Sequence, residues 1–143
     1  MAFTSDYLCN SFKRELMVAT HNFTLTTGNV FKIALYTNTA TFDASTTDYT
    51  VTNEITGTNY VAGGETLTNV TPTLDTGTAI TDFSDAVWTT TTQTARGALI
   101  YNSTAGTATV CVLDFTADKT STAGDFTVQF PAFAAATAII RIA

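Results

Sequence analysis

The chain has 143 residues, of which 45% are hydrophobic and only 13% charged, and its formal net charge is −6. This length predicts one domain that buries roughly two-thirds of its unfolded surface, and the six scattered cations give no basic patch for nucleic acid or an anionic membrane. Threonine occurs 34 times. Because threonine is β-branched and packs well on a pleated surface, the composition indicates a β-protein with Thr on its solvent-facing sides.

The N-terminal region predicts a helix. It has no basic head followed by an apolar core, as a secretory signal has, and no apolar run of about 18 residues predicts a membrane span anywhere. Ser5 and Asp6 can cap a helix, and apolar residues then recur at helical spacing: Leu8, Phe12, Leu16, Ala19 and Phe23. We expect a helix over about residues 6–20, preceded by an arm at 1–6. His21 is expected to close the helix at the negative end of its dipole.

After the helix the apolar period changes to two, which is typical of strands. In VFKIALY, three residues that point to one side (Phe31, Ile33 and Leu35) alternate with polar or smaller ones. ARGALIYN (95–102) is apolar on both faces and predicts a central strand, joined by the hairpin loop STAG to the longest strand signal, TATVCVLDFT (107–116). DFTVQF (125–130) and ATAIIRIA (136–143) predict the last strands.

Between residues 42 and 94 the strand pattern is weaker. The short candidates are TDYTVTN (47–53), NYVAG (59–63), ETLTNV (65–70) and DAVWTT (85–90). Short strands with frequent turn signals suggest a sandwich or a barrel. The sequence therefore predicts a mainly β fold, residues 1–143 as a single antiparallel β-sandwich or barrel-like domain, with one short N-terminal helix and seven to nine strands.

One triplet matches a catalytic motif. Asp75-Thr76-Gly77 has the residues of the turn that presents one carboxylate of the aspartic-protease dyad. The apolar segment that should brace this dyad is missing, and the triplet is also good turn chemistry, since Asp bonds its own backbone and Gly accepts a positive φ. The turn is the favoured interpretation, and the protease is kept as an alternative.

Other reactive residues do not assemble into a recognisable site. Cys9 and Cys111 predict two buried thiols, and with His21 they match no usual zinc spacing. The pairs Asp82/Asp85 and Asp114/Asp118 lack the dense spacing of a calcium loop. We predict no catalytic residue, no metal, no cofactor and no enzymatic activity. A sugar-binding module with Trp88 displayed outward on a platform with nearby tyrosines is a further alternative, although a lone Trp is usually part of the core.

The order of several segments carries a resemblance over nearly the whole chain. These segments are NSFKREL, FKIALYT, TNEITGT, the AGG turn, FSD followed by VW, ARGALIYN and DKTSTAGDFTVQFP. In this order they resemble a widespread group of small virion structural proteins of tailed bacteriophages. The resemblance implies a non-enzymatic capsid decoration or cement protein that binds and stabilises the assembled shell, with a tail or neck component as the alternative.

The resemblance also implies partners and a location. The partners would be the major capsid protein or other virion proteins, and the chain would be made in the host cytoplasm and reside in the virion. We expect a homo-oligomer, a trimer at three-fold lattice sites. Residues 1–6 are expected to lie on the shell and to be dispensable for the fold.

Five residues are predicted to lie at interfaces. In Thr52–Val70, TNEITGTNYVAGGETLTNV, the residues Tyr60, Gly63 and Gly64 would form a bent loop that allows close approach to a neighbour. Phe3 and Phe12 are the other two candidates, because the chain carries more Phe in its first third than one small core needs.

Overall fold

A computed structural model describes residues 3–143, and the fold is mainly β, as predicted. The elements in chain order are β1 (Tyr7–Leu8), α1 (Asn10–Met17), β2 (Phe31–Tyr36), β3 (Glu65–Thr66), β4 (Asn69–Asp75), β5 (Thr78–Phe83), β6 (Ala86–Asn102), β7 (Ala108–Val128) and β8 (Ile140–Ile142). A larger antiparallel sheet has the strand order β1-β7-β6-β2-β3, and a smaller one has the order β4-β5-β8.

Helix α1 is shorter at both ends than the predicted helix over residues 6–20. Tyr7 and Leu8 are extended and pair with Val112 and Cys111 of β7, so the helix begins only at Asn10. At the other end Ala19 adopts a left-handed φ of 59°, and backbone N–H groups of residues 19 and 20 bond back to the carbonyls of 16 and 15. This pair of bonds is the Schellman motif, which ends a helix. The structure describes no helix long and apolar enough to cross a membrane.

The N-terminal arm belongs to the fold rather than standing apart from it. Phe3 is 1% exposed, and its ring lies 5.9 Å from the ring of Phe42. Asp6, predicted to cap the helix, instead accepts a hydrogen bond from the Asp114 backbone N–H at 2.7 Å. These contacts of Phe3 and Asp6 argue against an arm over residues 1–6 that is dispensable for the fold, and residues 1–2 lie outside the described part of the chain.

Strands β6 and β7 form one long hairpin with the predicted loop at residues 103–107. The segments 85–90 and 95–102 were expected as separate strands and are continuous in β6 from residue 86, while 107–116 and 125–130 are joined through the 21-residue β7. Register shifts interrupt the pairing, the largest where residues 115–118 lie opposite Arg96 alone. Such bulges bend a strand without ending it.

The bend in β7 is sharp enough to bring its two halves together. The rings of Phe115 and Phe126 lie 6.3 Å apart, although an extended strand would separate these residues by about 36 Å. Thr116 and Ala123 have positive φ values of 64° and 46° between them. The hairpin therefore folds back on itself.

Aromatic side chains join the two sheets. Phe83 of the smaller sheet packs against Phe31 of the larger sheet with ring centroids 5.6 Å apart, and against Phe130 at 5.7 Å. Phe23, from the loop after α1, stacks on Phe31 at 4.4 Å. This aromatic layer is the centre of the core.

Between residues 42 and 94, two predicted strands (47–53 and 59–63) are absent, and one strand that was not predicted, β5, is present. TDYTVTN (47–53) and NYVAG (59–63) contribute only isolated bridges or none, and ETLTNV (65–70) is divided between β3 and β4. Strand β5, which follows the Asp75-Thr76-Gly77 turn, was not predicted. The final strand near the C-terminus is confirmed, as residues 140–142.

Candidate functional site

The loop over residues 52–70 is organised around one buried carboxylate, Glu54. Its Oε2 accepts a hydrogen bond from the Tyr49 hydroxyl at 2.6 Å, and its Oε1 accepts bonds from the Tyr60 hydroxyl at 2.6 Å and the Gly63 N–H at 2.8 Å. The backbone bridge from Glu54 to Tyr36 fixes this carboxylate beside the edge of β2. A carboxylate with three donors has its charge compensated inside the fold, as a buried acid requires.

The tyrosines around Glu54 also bind the backbone. The Tyr60 hydroxyl accepts a bond from the Leu35 N–H at 2.9 Å, and the Tyr101 hydroxyl donates to the Gly63 carbonyl at 2.8 Å. Burial, with the neighbouring Glu54 charge as a further cause, raises the pKa of Tyr101 from 10.0 to about 12. Burial likewise raises the pKa of Tyr49 and of Tyr60. The phenols therefore stay neutral at physiological pH and can continue to donate.

Gly63 and Gly64 adopt backbone conformations that the fold of this chain itself requires. Both have positive φ, +95° and +71°, and a Cβ at Gly64 would lie 1.8 Å from the Ile33 carbonyl oxygen. At Gly64 a close backbone approach of the kind predicted is made to β2 of the same chain.

The five predicted interface residues are all committed to the chain's own packing or hydrogen bonding. Phe3 and Phe12 are buried in the core, Gly63 is buried, Gly64 packs on β2, and the Tyr60 hydroxyl makes two internal hydrogen bonds. The side chains of Phe3 and Phe12 lie in the core and cannot reach a partner, whereas Tyr60 and Gly64 are half-buried.

The Asp75-Thr76-Gly77 triplet lies at the end of the β4–β5 hairpin: Asp75 pairs with Thr78, and Thr76 and Gly77 form the two-residue turn between them. Thr76 and Gly77 have φ values of 49° and 88°, the positive pair that a type I′ hairpin turn requires. The Asp75 Oδ2 accepts a hydrogen bond from the Ala135 N–H at 2.7 Å. The turn interpretation is supported, and this carboxylate is occupied in bracing the segment before β8.

His21 links the region of α1 to the larger sheet instead of capping the helix. Its Nε2 lies 2.7 Å from Glu15 Oε2, and its Nδ1 lies 3.1 Å from Asn102 Nδ2. Because Asn102 Oδ1 already accepts bonds from the N–H groups of Thr104 and Ala105, its Nδ2 is the donor to His21. The ring thereby joins Glu15 of α1 to Asn102 of β6.

The remaining reactive side chains are buried. Cys9 and Cys111 are free thiols, as predicted, and burial raises the pKa of both, which disfavours the reactive thiolate. Trp88 is 2% exposed and lies between Tyr60 and Phe126, at ring distances of 6.2 and 6.0 Å. It therefore forms no outward platform for a sugar ring. Within residues 3–143 no group of three His, Cys, Asp or Glu residues is placed to hold a metal ion.

An apolar groove opens at the edge of the core, and we call it the core-edge groove. It has a volume of about 410 Å³ and lies between the C-terminal end of α1 and the smaller sheet. Its lining residues are Leu16, Ala19, His21, Asn22, Phe23, Pro72, Ala79, Thr81, Ile140 and Ile142. None of these is Asp, Glu, Lys or Arg, and His21 is the one histidine among them.

Exposed apolar side chains lie beside the core-edge groove. Leu74 pairs with Ala79, and Ala79 pairs with Ile142, so the three side chains form a row on one face of the smaller sheet. Leu74 is 77% exposed, and Ile142 is also exposed. At the α1 side of the groove Met17 is 88% exposed. Patterning along the sequence did not identify this surface, because it forms only when residues 74, 79 and 142 become neighbours.

Comparisons with known proteins identify no relative. No family model matches the chain, and neither the curated proteins nor the solved structures contain a significant match. Function is therefore inferred from the order of segments along the sequence and from the surface of the folded chain.

Proposed function

We propose that this chain is a non-enzymatic structural protein of a tailed-phage virion that binds the assembled capsid shell and reinforces it. The order of segments from NSFKREL to DFTVQFP supports this proposal, since it resembles such proteins over nearly the whole chain. A protein of this kind acts through contact with neighbouring subunits, which requires a shaped surface rather than a reactive group.

The observation that carries the proposal is the division between polar groups that are bound within the chain and apolar groups that are exposed. Glu54, His21 and Asp75 are bound to partners within the chain. Met17 and Leu74 are instead exposed near a groove whose lining contains no Asp, Glu, Lys or Arg. Exposed apolar patches mark interaction sites, and the centres of interfaces are poor in charge.

The proposed partner is the major capsid protein or another virion protein, and the proposed location is the virion. A tail or neck component remains the alternative within the same class, because the resemblance does not distinguish the head from the tail. The burial of Trp88 removes the outward platform on which the sugar-binding alternative depended, and the Asp75 carboxylate of the protease alternative accepts a hydrogen bond from the Ala135 N–H.

Reconstitution on shells tests the proposal. Purified chain is added to assembled shells that lack it and, as a control, to unassembled shell subunits. We expect saturable binding to the assembled shells, a higher temperature of shell disruption and regular density on the head lattice by cryo-electron microscopy. Density in the tail alone would assign the chain to the alternative, and its absence from purified particles would reject a virion role.

A further inference from the structure

The segment between β7 and β8, residues 129–139, lies along the smaller sheet, and we call it the strap. It is fastened near both ends of β5. The Phe130 N–H donates to Oδ1 of Asp85, just after β5, at 2.8 Å, and the Ala135 N–H donates to Oδ2 of Asp75, just before β5, at 2.7 Å. The sequence of the strap, QFPAFAAATAI, contains no Asp, Glu, Lys, Arg or His. The strap therefore brings a segment without charged side chains against β5.

Asp82 is buried on the face of β5 that points away from the aromatic layer. Alternate residues of a strand point to opposite faces, and Phe83 packs in the aromatic layer on the other face. Ile80 and Asp82 are nevertheless only 3% and 2% exposed. Ile139, the last residue of the strap, lies beside Asp82, and its backbone N–H acts on the carboxylate. Because the strap reaches both ends of β5 and this position, we assign the cover of Asp82 to the strap.

The Asp82 carboxylate is only partly compensated in this position. Its Oδ1 accepts a hydrogen bond from the Phe83 N–H at 2.9 Å, whereas its Oδ2 is buried and has no hydrogen-bond partner in the described part of the chain. A buried ion requires several donors or an opposite charge. Burial, with the Asp85 charge as a further cause, raises the pKa of Asp82, although the N–H groups of Phe83 and Ile139 oppose this shift.

The elements around Asp82 supply no cation to it. The charged residue of β4 is Asp75, and the strap has none. On β8 the cation is Arg141, whose guanidinium donates to the Ala136 carbonyl of the strap. No ion pair within residues 3–143 includes Asp82. The nearby charge that acts on Asp82 is the negative one of Asp85, so ionisation of Asp82 is opposed by both its burial and its surroundings.

The strap also forms one wall of a cleft with a volume of about 460 Å³. The other wall consists of β1 and the neighbouring part of β7, and the charged residues of the lining are Asp6, Asp114 and Arg141. A strap that moves away from β5 changes the shape of this cleft and exposes Asp82 to water. Opening of the strap is therefore the movement that relieves the buried charge.

We propose that the strap is a proton-gated closure: it stays closed over a protonated Asp82 and opens more readily when Asp82 is ionised. The closed state binds the proton of Asp82 more tightly than an opened, hydrated state does. Closure is therefore most favoured below the ordinary Asp pKa of about 3.9 and weakens as the pH rises through the raised value. This inference goes beyond the proposed virion role, because it concerns the free chain.

Hydrogen exchange of the unaltered chain and of Asp82→Asn, measured by mass spectrometry between about pH 4 and pH 8, tests the proposal. Asparagine keeps an acceptor for the Phe83 N–H and carries no charge. After correction for the intrinsic exchange rate, amides of residues 135–142 should exchange at least about tenfold more slowly in Asp82→Asn at about pH 7. This difference should shrink to less than about threefold near pH 4, where Asp82 of the unaltered chain is protonated.

The matched control is Asp85→Asn, which removes the same charge close by and keeps an acceptor for the Phe130 N–H. Because Asp85 is exposed, its charge costs little in the closed state, and this variant should slow the exchange of the strap by no more than about twofold. Equal exchange in Asp82→Asn and the unaltered chain at neutral pH would overturn the proposal. Equal slowing by Asp85→Asn would overturn it as well.

A measurement on the unaltered chain keeps the proposal testable if Asp82→Asn does not fold. The carboxyl carbon of Asp82 is followed by nuclear magnetic resonance as a function of pH. We expect a titration midpoint above the ordinary Asp value of about 3.9, together with faster exchange of the strap above this midpoint. A midpoint at or below the ordinary value would reject the gate. These measurements use the free chain, so they are decided separately from binding to shells.

Discussion

Replacing Tyr60 by Phe removes a single oxygen atom and two hydrogen bonds. The hydroxyl donates to Glu54 Oε1 at 2.6 Å and accepts from the Leu35 N–H at 2.9 Å. The ring itself is retained, with its neighbour Trp88 at 6.2 Å. The change therefore tests the polar network of the Glu54 loop with little change in packing.

The expected loss of stability follows from these two bonds. A hydrogen bond to a charged group contributes about 1.5–3 kcal/mol, and a buried N–H left without an acceptor costs about 1–3 kcal/mol more. We therefore expect Tyr60→Phe to lower the free energy of unfolding by about 4 kcal/mol. Tyr49→Phe is the matched control, since that hydroxyl also donates to Glu54 but does not accept the Leu35 N–H, and its removal should cost about 2 kcal/mol.

Equilibrium unfolding in urea measures both values. The single tryptophan, Trp88, is buried beside Tyr60 and reports on unfolding by fluorescence, and circular dichroism provides a second probe of two-state behaviour. The two variants should shift the midpoint without changing the slope of free energy against urea. If Tyr60→Phe costs no more than Tyr49→Phe, the Leu35 bond does not contribute as we infer, and the reasoning fails.

Three further outcomes are expected. Phe3→Ala should lower the free energy of unfolding by about 3–5 kcal/mol, because it opens a cavity in the core; a loss below about 1 kcal/mol in urea unfolding would restore the dispensable arm. Gly64→Ala should cost about 3 kcal/mol or more through the clash with Ile33, whereas Gly106→Ala, at a φ of +61° with open space around it, should cost about 1–2 kcal/mol; equal midpoints would contradict this. The pKa of the buried phenol Tyr101 is raised to about 12, so the folded state binds this proton more tightly than the unfolded chain does. The free energy of unfolding should therefore be full below about pH 10 and fall as the pH rises above it. A urea midpoint that stays constant from about pH 8 to pH 11 would refute this.

Regular alternation made the larger sheet predictable. The alternation in FKIALY predicted a strand, and the apolar residues on both faces of ARGALIYN predicted a central one; the two pair with each other as β2 and β6. The continuity of β7 could not be recognised, because DKTSTAG (118–124) has the composition of a turn. It remains a strand because residues 119–124 pair with the Thr-rich part of β6, which is a tertiary effect.

At the start of the helix, residues that were predicted to be helical lie outside it. Leu8 fits the helical spacing, and Asp6 is a good capping residue, so local rules place both in the helix. Pairing with β7, about a hundred residues later in the chain, overrides that preference. Local spacing contains no information about such a partner.

The candidate sites were predictable only in part. The concentration of Glu54, Tyr60 and Gly63 in one loop was visible in the sequence, and the structure explains it as an internal network. Tyr101, which completes this network, lies 38 residues beyond Gly63. The core-edge groove needed the position of β8 next to β5, which no local pattern specifies.

The pairing of β1 with β7 sets an order on how the chain can fold during synthesis. Tyr7 and Leu8 leave the ribosome long before their partners, Val112 and Cys111. This edge of the larger sheet therefore cannot form until residues 111 and 112 have been translated. The packing of Phe3 against Gly97 likewise has to wait for Gly97. Proteins whose contacts join distant parts of the sequence fold in milliseconds to seconds. Until then the N-terminal Phe residues are exposed on the nascent chain, where chaperones can bind them.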